Sequence, residues 1–282
     1  MEIIRDIKKM QRRARALAAA GKKIGLVPTM GFLHEGHISL IRRAKKLSDI
    51  VITTIFVNPT QFAPNEDFGR YPRDEKGDFA KIRRAGGDIV FIPKAEDIYP
   101  EDFQTYVTIE EITATLEGAV RPGHFRGVTT IVAKLFNITR PDVAVFGMKD
   151  YQQAIVLKQM VRDLNFPIKM IIAPTKREKD GLAMSSRNKY FSPEQKKEAV
   201  CLYRALTAAQ KMIKVKGARN PEPVRNEMKR IIKSFCPTAQ IDYIAFTDFE
   251  TLKPVKKIGV NCICSLAVRL YGVRLIDNMR LL

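Results

Sequence analysis

The chain has 282 residues, of which 45% are hydrophobic, and its formal net charge is +19 at pH 7. This length predicts one large or two smaller domains with a hydrophobic core, and no apolar run approaches the roughly 20 residues of a membrane span. The first residues contain no apolar stretch of the signal-peptide type. Of the four cysteines, Cys262 and Cys264 lie in an apolar strand-like run with no nearby His and are predicted to be buried thiols, so we expect a cytoplasmic protein.

The excess of Lys and Arg favours anionic partners, including nucleotides, carboxylates, phosphates or nucleic acid. The basic residues are spread along predicted helices and do not form a tail, so a solvated basic surface explains most of them. A nucleic-acid-binding protein is the weaker interpretation, because clustered basic stripes with interleaved aromatic residues are missing. We therefore expect neither nucleic acid nor a membrane as a partner.

Strands and helices are predicted to alternate over residues 22–173. A first helix, over residues 3–20, ends at Gly21. Buried strands are predicted at 24–27, 50–57, 88–93, 143–146 and 168–173. The first helix between them is predicted to carry residues 34–37 in its first turn and to continue to residue 47. The others are predicted at 74–85, 128–137 and 147–163, with a loop at 94–104 and a short extended piece at 105–109. This alternation indicates an α/β fold with a Rossmann-like doubly wound parallel sheet.

A smaller α+β unit is predicted after the parallel-sheet domain. Ser192-Pro193 with Gln195 is typical of a helix start, and this helix is predicted to run to about residue 216. A second helix is predicted at 222–235 and strands at 240–247 and 260–271. The chain is thus divided into a Rossmann-like domain over residues 1–175, predicted to bind the nucleotide, and a C-terminal lid domain over 176–282.

The first buried strand leads into Pro28–Ser39, which contains His34-Glu35-Gly36-His37 at the start of a helix. Free N–H groups at a helix N-terminus suit a phosphate, and two imidazoles on one helix face could stabilise charge on a phosphoryl group. The alternative is that both histidines cap the helix or lie in solvent. A zinc site would need further ligands besides these two histidines, and the chain has only one other His and no Cys nearby. We therefore predict no metal-binding residues at this motif.

Polar side chains also follow other predicted strands. Asn58 and Gln61 lie in the loop after the second strand, where ligands of open parallel sheets bind; ordinary loop capping is the alternative. Arg121 and His124 lie in a glycine-containing basic loop that could clamp an anion or be a plain surface loop.

Two later segments are also predicted to face phosphates. Gly147 and Lys149 form a strand-to-helix turn, although the spacing of a P-loop is absent. Residues 176–190 are polar and carry hydroxyl groups and an arginine, which suits a lid over phosphates.

Met184-Ser185-Ser186-Arg187, together with the His34–His37 motif, resembles the paired motifs of the nucleotidyltransferase superfamily, which includes class I aminoacyl-tRNA synthetases. Five segments then narrow the resemblance to the pantothenate synthetase family, because they occur in that family's order. They are residues 28–37, 58–62, 121–125, 146–153 and 180–188. The closing segment 274–278 is similar too.

The resemblance implies an ATP-dependent ligase that condenses (R)-pantoate with β-alanine to pantothenate (vitamin B5). The reaction would pass through a pantoyl-adenylate and release AMP and pyrophosphate, with ATP as substrate, Mg²⁺ as cofactor and a homodimeric enzyme. The small molecules pantoate, β-alanine and ATP would be its partners. Asp78 and Asp150 are candidates for assisting the magnesium ion.

The resemblance also implies roles for individual residues. The catalytic residues would be His34, His37, Lys149 and Arg187, with His37 as proton donor. The ATP-binding residues would be Met30, Gly31, Phe32, Leu33, His34, Glu35, Gly36, His37, Gly147, Met148, Lys149, Asp150, Lys176, Met184, Ser185, Ser186 and Arg187. Gln61 and Gln153 would hold pantoate, and Asn58, Arg121 and His124 are further candidates for contacts with pantoate or β-alanine. Met148 departs from the family, in which a polar residue is common at this position.

The chemistry agrees with this residue set. Attack of a carboxylate on the α-phosphorus of ATP depends on positioning and on neutralising negative charge. The alternative enzyme is a nucleotidylyltransferase, which retains the nucleotide on its product, so release of free AMP separates the two.

Overall fold

The structure is a computed structural model that describes residues 1–64 and 66–282. The chain forms two compact units. Unit 1 comprises Met1–Met148 and Val156–Pro174, and unit 2 comprises Lys149–Ile155 and Thr175–Leu282. The segment Lys149–Ile155, which the sequence assigns to the first domain, thus groups with unit 2.

Unit 1 is built on a parallel sheet. Within the described residues its strands are β1 (Glu2–Ile4), β2 (Ile24–Thr29), β3 (Ile50–Ile55), β4 (Ile89–Phe91), β5 (Val143–Gly147) and β6 (Lys169–Ala173). Every neighbouring pair is parallel, in the order β1-β4-β3-β2-β5-β6. The strand order reverses between β2 and β5, and ligands of doubly wound sheets bind at the carboxyl ends of the strands at such a point.

Helices cover both faces of this sheet. The helices between Ile7 and Asp163 are α1 (Ile7–Ala19), α2 (Glu35–Lys45), α3 (Glu75–Arg84), α4 (Ala95–Ile98), α5 (Glu117–Val120), α6 (His124–Thr139) and α7 (Tyr151–Asp163). Among them, α1 and α6 pack into one core and α2 and α3 into the other. On β2, Ile24 and Leu26 pack into one hydrophobic core and Val27 packs into the other. Because side chains alternate along a strand, a sheet covered on both faces needs an apolar residue at nearly every position.

Several predicted boundaries in unit 1 are wrong. Residues 2–4 form the edge strand β1, and α1 begins only after Asp6, whose carboxylate accepts a hydrogen bond from the Lys9 N–H at 2.6 Å. The helix α6 begins at His124, four residues earlier than predicted, and α4 lies inside the predicted loop 94–104. The described residues 105–109 belong to no strand, because Val107 hydrogen-bonds the side chains of Thr129 and Thr130 on α6 instead.

Unit 2 contains three helices and an antiparallel sheet. The helices are α8 (Pro193–Ala199), α9 (Cys201–Lys214) and α10 (Pro221–Phe235), and the strands are β7 (Gln240–Asp248), β8 (Cys262–Leu270) and β9 (Val273–Arg280). The capping box of Ser192 and Gln195 is confirmed, but the single helix predicted over 192–216 is interrupted at Val200. All four cysteines are buried free thiols.

The predicted fold class is confirmed: a Rossmann-like parallel sheet is followed by a small α+β unit. In the part of the chain that the structure describes, no helix combines the length and apolar character needed to cross a membrane.

Candidate active site

The turn after β2 is held in an unusual backbone conformation by the side chains of Thr29 and Asp78. The Thr29 hydroxyl donates to the Thr54 carbonyl at 2.6 Å and accepts from the Gly31 N–H at 3.2 Å. Gly31 has φ +83° and Phe32 has φ +50°, so the first position suits glycine and the second is rare for a bulky side chain. This geometry turns the chain from β2 into α2.

Asp78, on α3, binds the backbone of the same turn. Its two carboxylate oxygens accept hydrogen bonds from the N–H groups of Phe32 and Leu33, each at 2.7 Å. Asp78 is only 1% exposed, and burial raises the pKa of its carboxyl, although both amides and Lys81 oppose the shift. The sequence suggests Asp78 as a magnesium candidate, whereas its oxygens bind the turn.

His34 and His37 cap the first turn of α2 reciprocally. The Nδ1 atom of His34 accepts from the Gly36 N–H at 3.1 Å, and Nδ1 of His37 accepts from the His34 N–H at 3.4 Å. The ring centroids are 4.1 Å apart. Because each Nδ1 is an acceptor, the proton of each neutral ring lies on Nε2. The cap therefore uses the Nδ1 atom of each ring and fixes the orientation of both imidazoles at the N-terminus of α2.

Gln61 lies in the short 3₁₀ turn after β3, and Asn58 orients it. Asn58 is 1% exposed, and its amide nitrogen donates to Gln61 Oε1 at 3.2 Å and to the Gly127 carbonyl at 3.1 Å. The Tyr99 hydroxyl donates to Asn58 Oδ1 at 2.8 Å. The Gln61 amide nitrogen lies 3.0 Å from Met30 Sδ, which places Gln61 beside the turn that follows β2.

Arg121 and His124 also contact the Gln61 segment. Nδ1 of His124 donates to the Gln61 carbonyl at 2.9 Å, and Nη1 of Arg121 donates to His124 Nε2 at 3.1 Å. Arg121 forms a two-point ion pair with Glu66, at 2.6 and 2.7 Å. The anion clamp expected from the sequence is therefore already closed on a carboxylate of the chain itself.

The protonation states of this cluster follow from burial. Burial and then the charge of Arg121 lower the pKa of His124 to about 4, so its ring is neutral near pH 7. Burial alone would raise the pKa of Glu66, but the hydrogen bond and charge of Arg121 outweigh it and the pKa is lowered. The cluster thus holds one ion pair and one neutral imidazole, and both face the backbone of Gln61.

The segment after β5 forms a 3₁₀ turn, Met148–Asp150, that leads into α7. Gly147 and Met148 belong to unit 1, whereas Lys149, Asp150 and Gln153 belong to unit 2. The Lys149 ammonium lies 3.4 Å from Asp150 Oδ1. Gln153 is half-buried on α7.

In unit 2, the segment Lys176–Arg187 is a small hairpin. Arg177 pairs with Ala183 in an antiparallel bridge, and the Met184 N–H donates to the Lys176 carbonyl at 3.0 Å, while the Lys176 side chain is exposed. Ser185 caps the 3₁₀ helix Ser186–Tyr190 by accepting from the Arg187 N–H. Ser186 is buried, and Met184, Ser185 and Arg187 are half-buried.

Several residues that position the predicted site were not assigned this role from the sequence. They are Glu66, Asp78, Tyr99, Arg177, Asp277 and Asn278. Asp277 and Asn278 lie in the closing segment that resembles the family, Arg177 lies in the predicted lid, and Asp78 was considered only as a magnesium candidate. Glu66 and Tyr99 carried no signal. Among the described residues, no group of three or more His, Cys, Asp or Glu side chains could hold a metal ion.

The doubly wound sheet, with paired histidines on a helix N-terminus at its switch point, defines the class of α/β nucleotide-binding enzymes. The sequence model of the family Pantoate-beta-alanine ligase matches residues 2–280. The chain belongs to this family and is a ligase, so the family predicted from the motifs is confirmed.

Similarity to individual members extends over nearly the whole chain. The pantothenate synthetase of Moorella thermoacetica is 54% identical over 279 residues, 99% of this chain and 98% of that protein. The pantothenate synthetase of Geobacter sulfurreducens is 50% identical over 278 residues, which are 99% of this chain and 98% of that protein.

Solved structures of the family are also similar. The crystal structure of pantothenate synthetase from Thermus thermophilus has a TM-score of 0.93 at 43% identity, covering 100% of this chain and 99% of that chain. The pantoate-beta-alanine ligase from Francisella tularensis, complexed with beta-gamma ATP and beta-alanine, has a TM-score of 0.82 at 37% identity. This match covers 99% of this chain and 97% of that chain.

Proposed function

We propose that this ligase condenses (R)-pantoate with β-alanine in an ATP-dependent reaction that forms pantothenate through a pantoyl-adenylate. The observation that carries the proposal is the reciprocal cap of His34 and His37, which directs two Nε2–H donors at the N-terminus of α2. The full-length similarity to pantothenate synthetases supports it, as does the crystallised complex of the Francisella relative with a nucleotide and beta-alanine.

In the proposed first step, a carboxylate oxygen of pantoate attacks the α-phosphorus of ATP and pyrophosphate leaves. The reaction needs no side-chain nucleophile, because the substrate carboxylate serves as one. The Nε2–H groups of His34 and His37 and the amides of the first turn of α2 stabilise the developing charge. Because the Nδ1 atom of His37 accepts the His34 N–H, the neutral ring donates a hydrogen bond from Nε2, and keeps its proton, as pyrophosphate leaves with its negative charge. Lys149 and Arg187 are proposed to supply further positive charge.

In the second step, the amine of β-alanine attacks the acyl carbon of the adenylate. AMP leaves with the electron pair of the acyl–oxygen bond, and the nitrogen loses a proton. Water must be kept from the mixed anhydride, a role that we assign to residues 176–190.

Pantoate is proposed to bind to the amide groups of Gln61 and Gln153. Asn58 is too deeply buried to be a good ligand, so we assign it the orientation of Gln61. Arg121 and His124 act in the same way, through the Gln61 carbonyl, rather than as a clamp for an anionic substrate.

Mg²⁺ is proposed to bind mainly through the phosphates of ATP, as it does in many nucleotide sites, where it would neutralise phosphate charge. Of the two carboxylates suggested by the sequence, Asp150 is the better candidate, because Asp78 binds backbone amides. A homodimer and a cytoplasmic location are also proposed; the four free thiols agree with a reducing compartment.

The experiment is measurement of AMP release from ATP and Mg²⁺ with pantoate, β-alanine, both acids or neither. We expect stoichiometric AMP and pantothenate only with both acids, and pantoate-dependent exchange of labelled pyrophosphate into ATP without β-alanine. If no AMP forms and another acceptor becomes nucleotidylated, the chain is a nucleotidylyltransferase and the proposal is wrong.

A further inference from the structure

The closing segment 274–278 lies on β9, and the reaction described above gives it no role. Asp277 and Asn278 are buried there, with 3% and 5% of their surfaces exposed. We infer that these two residues are positioning residues for ATP binding, because they fix the backbone of Lys149 and the hairpin that carries Ser185–Arg187. The inference rests on the proposed function, in which Lys149 and Arg187 bind ATP.

Asp277 fixes the base of the hairpin through Arg177. Its carboxylate oxygens accept from Nη1 and Nη2 of Arg177 at 2.6 and 2.9 Å, and both side chains are largely buried. A two-point pair between a guanidinium and a carboxylate fixes orientation as well as distance. The same guanidinium donates to the carbonyls of Gly181 at 3.1 Å and Asn278 at 3.3 Å. Arg177 therefore ties both arms of the hairpin to β9.

The hairpin Lys176–Arg187 packs closely against Tyr203, so a shift of Arg177 would also shift the residues that follow it. Gly181 has φ +100°, and a side chain there would overlap the ring of Tyr203. The Arg177 guanidinium lies 4.8 Å from the centroid of the same ring. The chain then passes through the Arg177–Ala183 bridge directly into Met184. The position of the segment Met184–Arg187 thus depends on where Arg177 is held.

Asn278 fixes Lys149. Its amide nitrogen donates to the Lys149 carbonyl at 2.8 Å, and its own N–H donates to Asp277 Oδ1 at 2.8 Å. A lysine side chain has several rotatable bonds, so its ammonium group is placed usefully only if its Cα is fixed. Two adjacent residues of one strand therefore hold two segments proposed to contact ATP.

β9 is a suitable support because it is paired along its length with β8. Asp277 lies opposite Leu266 and Asn278 opposite Ser265 in the antiparallel register. Sites held by strands are more accurately preorganised than sites held by loops alone.

The test is a double-mutant cycle on ATP affinity. The dissociation constant for ATP alone is measured by titration calorimetry for the full chain and for Asn278→Ala, Lys149→Ala and the double variant, all at a temperature where each is folded. We expect Asn278→Ala to raise this constant about tenfold in the native background, since one well-placed hydrogen bond is lost. In the Lys149→Ala background we expect a change below about twofold, because the group being positioned is gone.

Asp242→Asn is the matched control. Asp242 binds Arg274 of β9 at 2.6 Å and Arg269 of β8 at 3.3 Å. The variant therefore weakens the pair of strands β8 and β9 that supports Asp277 and Asn278, without removing a contact of either residue. It should lower the melting temperature and leave the ATP dissociation constant within about twofold of the native value.

Asp277→Asn is the second variant, because it removes the charge partner of Arg177 at constant volume. A raised ATP dissociation constant supports the inference, and a lower melting temperature with unchanged ATP affinity overturns it. Equal effects of Asn278→Ala in both backgrounds also overturn it, since a purely structural role would act independently of Lys149. If Lys149→Ala alone binds ATP normally, the proposed role of Lys149 fails instead, which is a distinct result.

Discussion

The carboxylate of Asp78 lies 2.7 Å from the backbone nitrogen of Phe32, a residue held at φ +50°. A non-glycine residue in this left-handed region costs on the order of 1 kcal/mol or more, and the buried carboxylate offsets that cost with two hydrogen bonds from the turn. An acidic residue of α3 thereby determines how the chain enters α2.

Asp78→Asn should disturb this turn, because the new amide group must direct its NH₂ at one of two N–H donors. We expect the free energy of unfolding to fall by about 1–3 kcal/mol and the pantoate-dependent exchange of pyrophosphate to slow. Urea unfolding and the exchange assay measure the two effects. Asp74→Asn is the control, because Asp74 caps the same helix through Gly77 and Asn is an equally good cap. Normal exchange in folded Asp78→Asn would show that the turn does not need this carboxylate.

His34→Asn separates capping from catalysis. Asn is a preferred N-cap residue, so α2 should keep its stability, whereas the Nε2–H donor is lost. We expect an unchanged melting temperature and adenylate formation slowed about 100- to 1,000-fold, the usual effect of removing one donor to a charged transition state. Arg43→Ala, at an exposed position of the same helix, should retain native activity. A loss of stability with native turnover would leave His34 with the capping role only.

Sequence patterns predicted the parts of this site that are local in the chain. The strand, turn and helix around His34 and His37 follow from periodicity and capping, which act over a few residues. The partners of the turn could not be found in this way, because Asp78 is 46 residues from Phe32 and no pattern specifies that distance. Arg121 was interpreted as a ligand for an anion, since its pairing with Glu66 is visible only in the fold.

The missed strands have different causes. Residues 2–4 form a strand only because β4 pairs with them, so tertiary pairing overrides the local helical pattern. The strand β9 was not predicted from the sequence, although the dipeptide Tyr271-Gly272 before it is a local turn signal. In the structure these two residues have φ +52° and +76°, as in the two-residue turns that join antiparallel strands. Tyr-Gly is a weaker sign of that turn than Asn-Gly.

The pKa of His124, lowered to about 4 by burial and by the charge of Arg121, predicts an acid-sensitive fold. The unfolded chain binds this proton near pH 6.5, whereas the folded chain does so only near pH 4. Stability therefore rises with pH across this window and is lost as the pH falls through it, by on the order of 3 kcal/mol in total.

His124→Gln removes this titration. Urea unfolding of the native chain and the variant at about pH 7 and about pH 4.5 measures the difference, and we expect the loss of stability on acidification to be smaller by about 2 kcal/mol in the variant. Equal losses in the two proteins would mean that His124 is not buried as a neutral ring. Burial opposes the shift, but the pKa of Glu66 is also lowered, chiefly by Arg121, so this carboxylate also loses stabilising interactions on acidification. Its contribution is present in both proteins and cancels in the comparison.

Gly127→Ala tests whether the Gln61 segment needs the close approach of α6. A Cβ at Gly127 would lie 2.7 Å from the backbone nitrogen of Gln61 and would overlap the carbonyl of Thr60. Inside a helix, glycine to alanine normally stabilises by up to about 1 kcal/mol, so a destabilised variant would identify the clash. We expect lower stability and a raised KM for pantoate, with a smaller change in the KM for ATP. Gly259→Ala is the control, because nothing lies within 4 Å of its added Cβ. A stabilised Gly127→Ala enzyme with native KM values would contradict the role given to this contact.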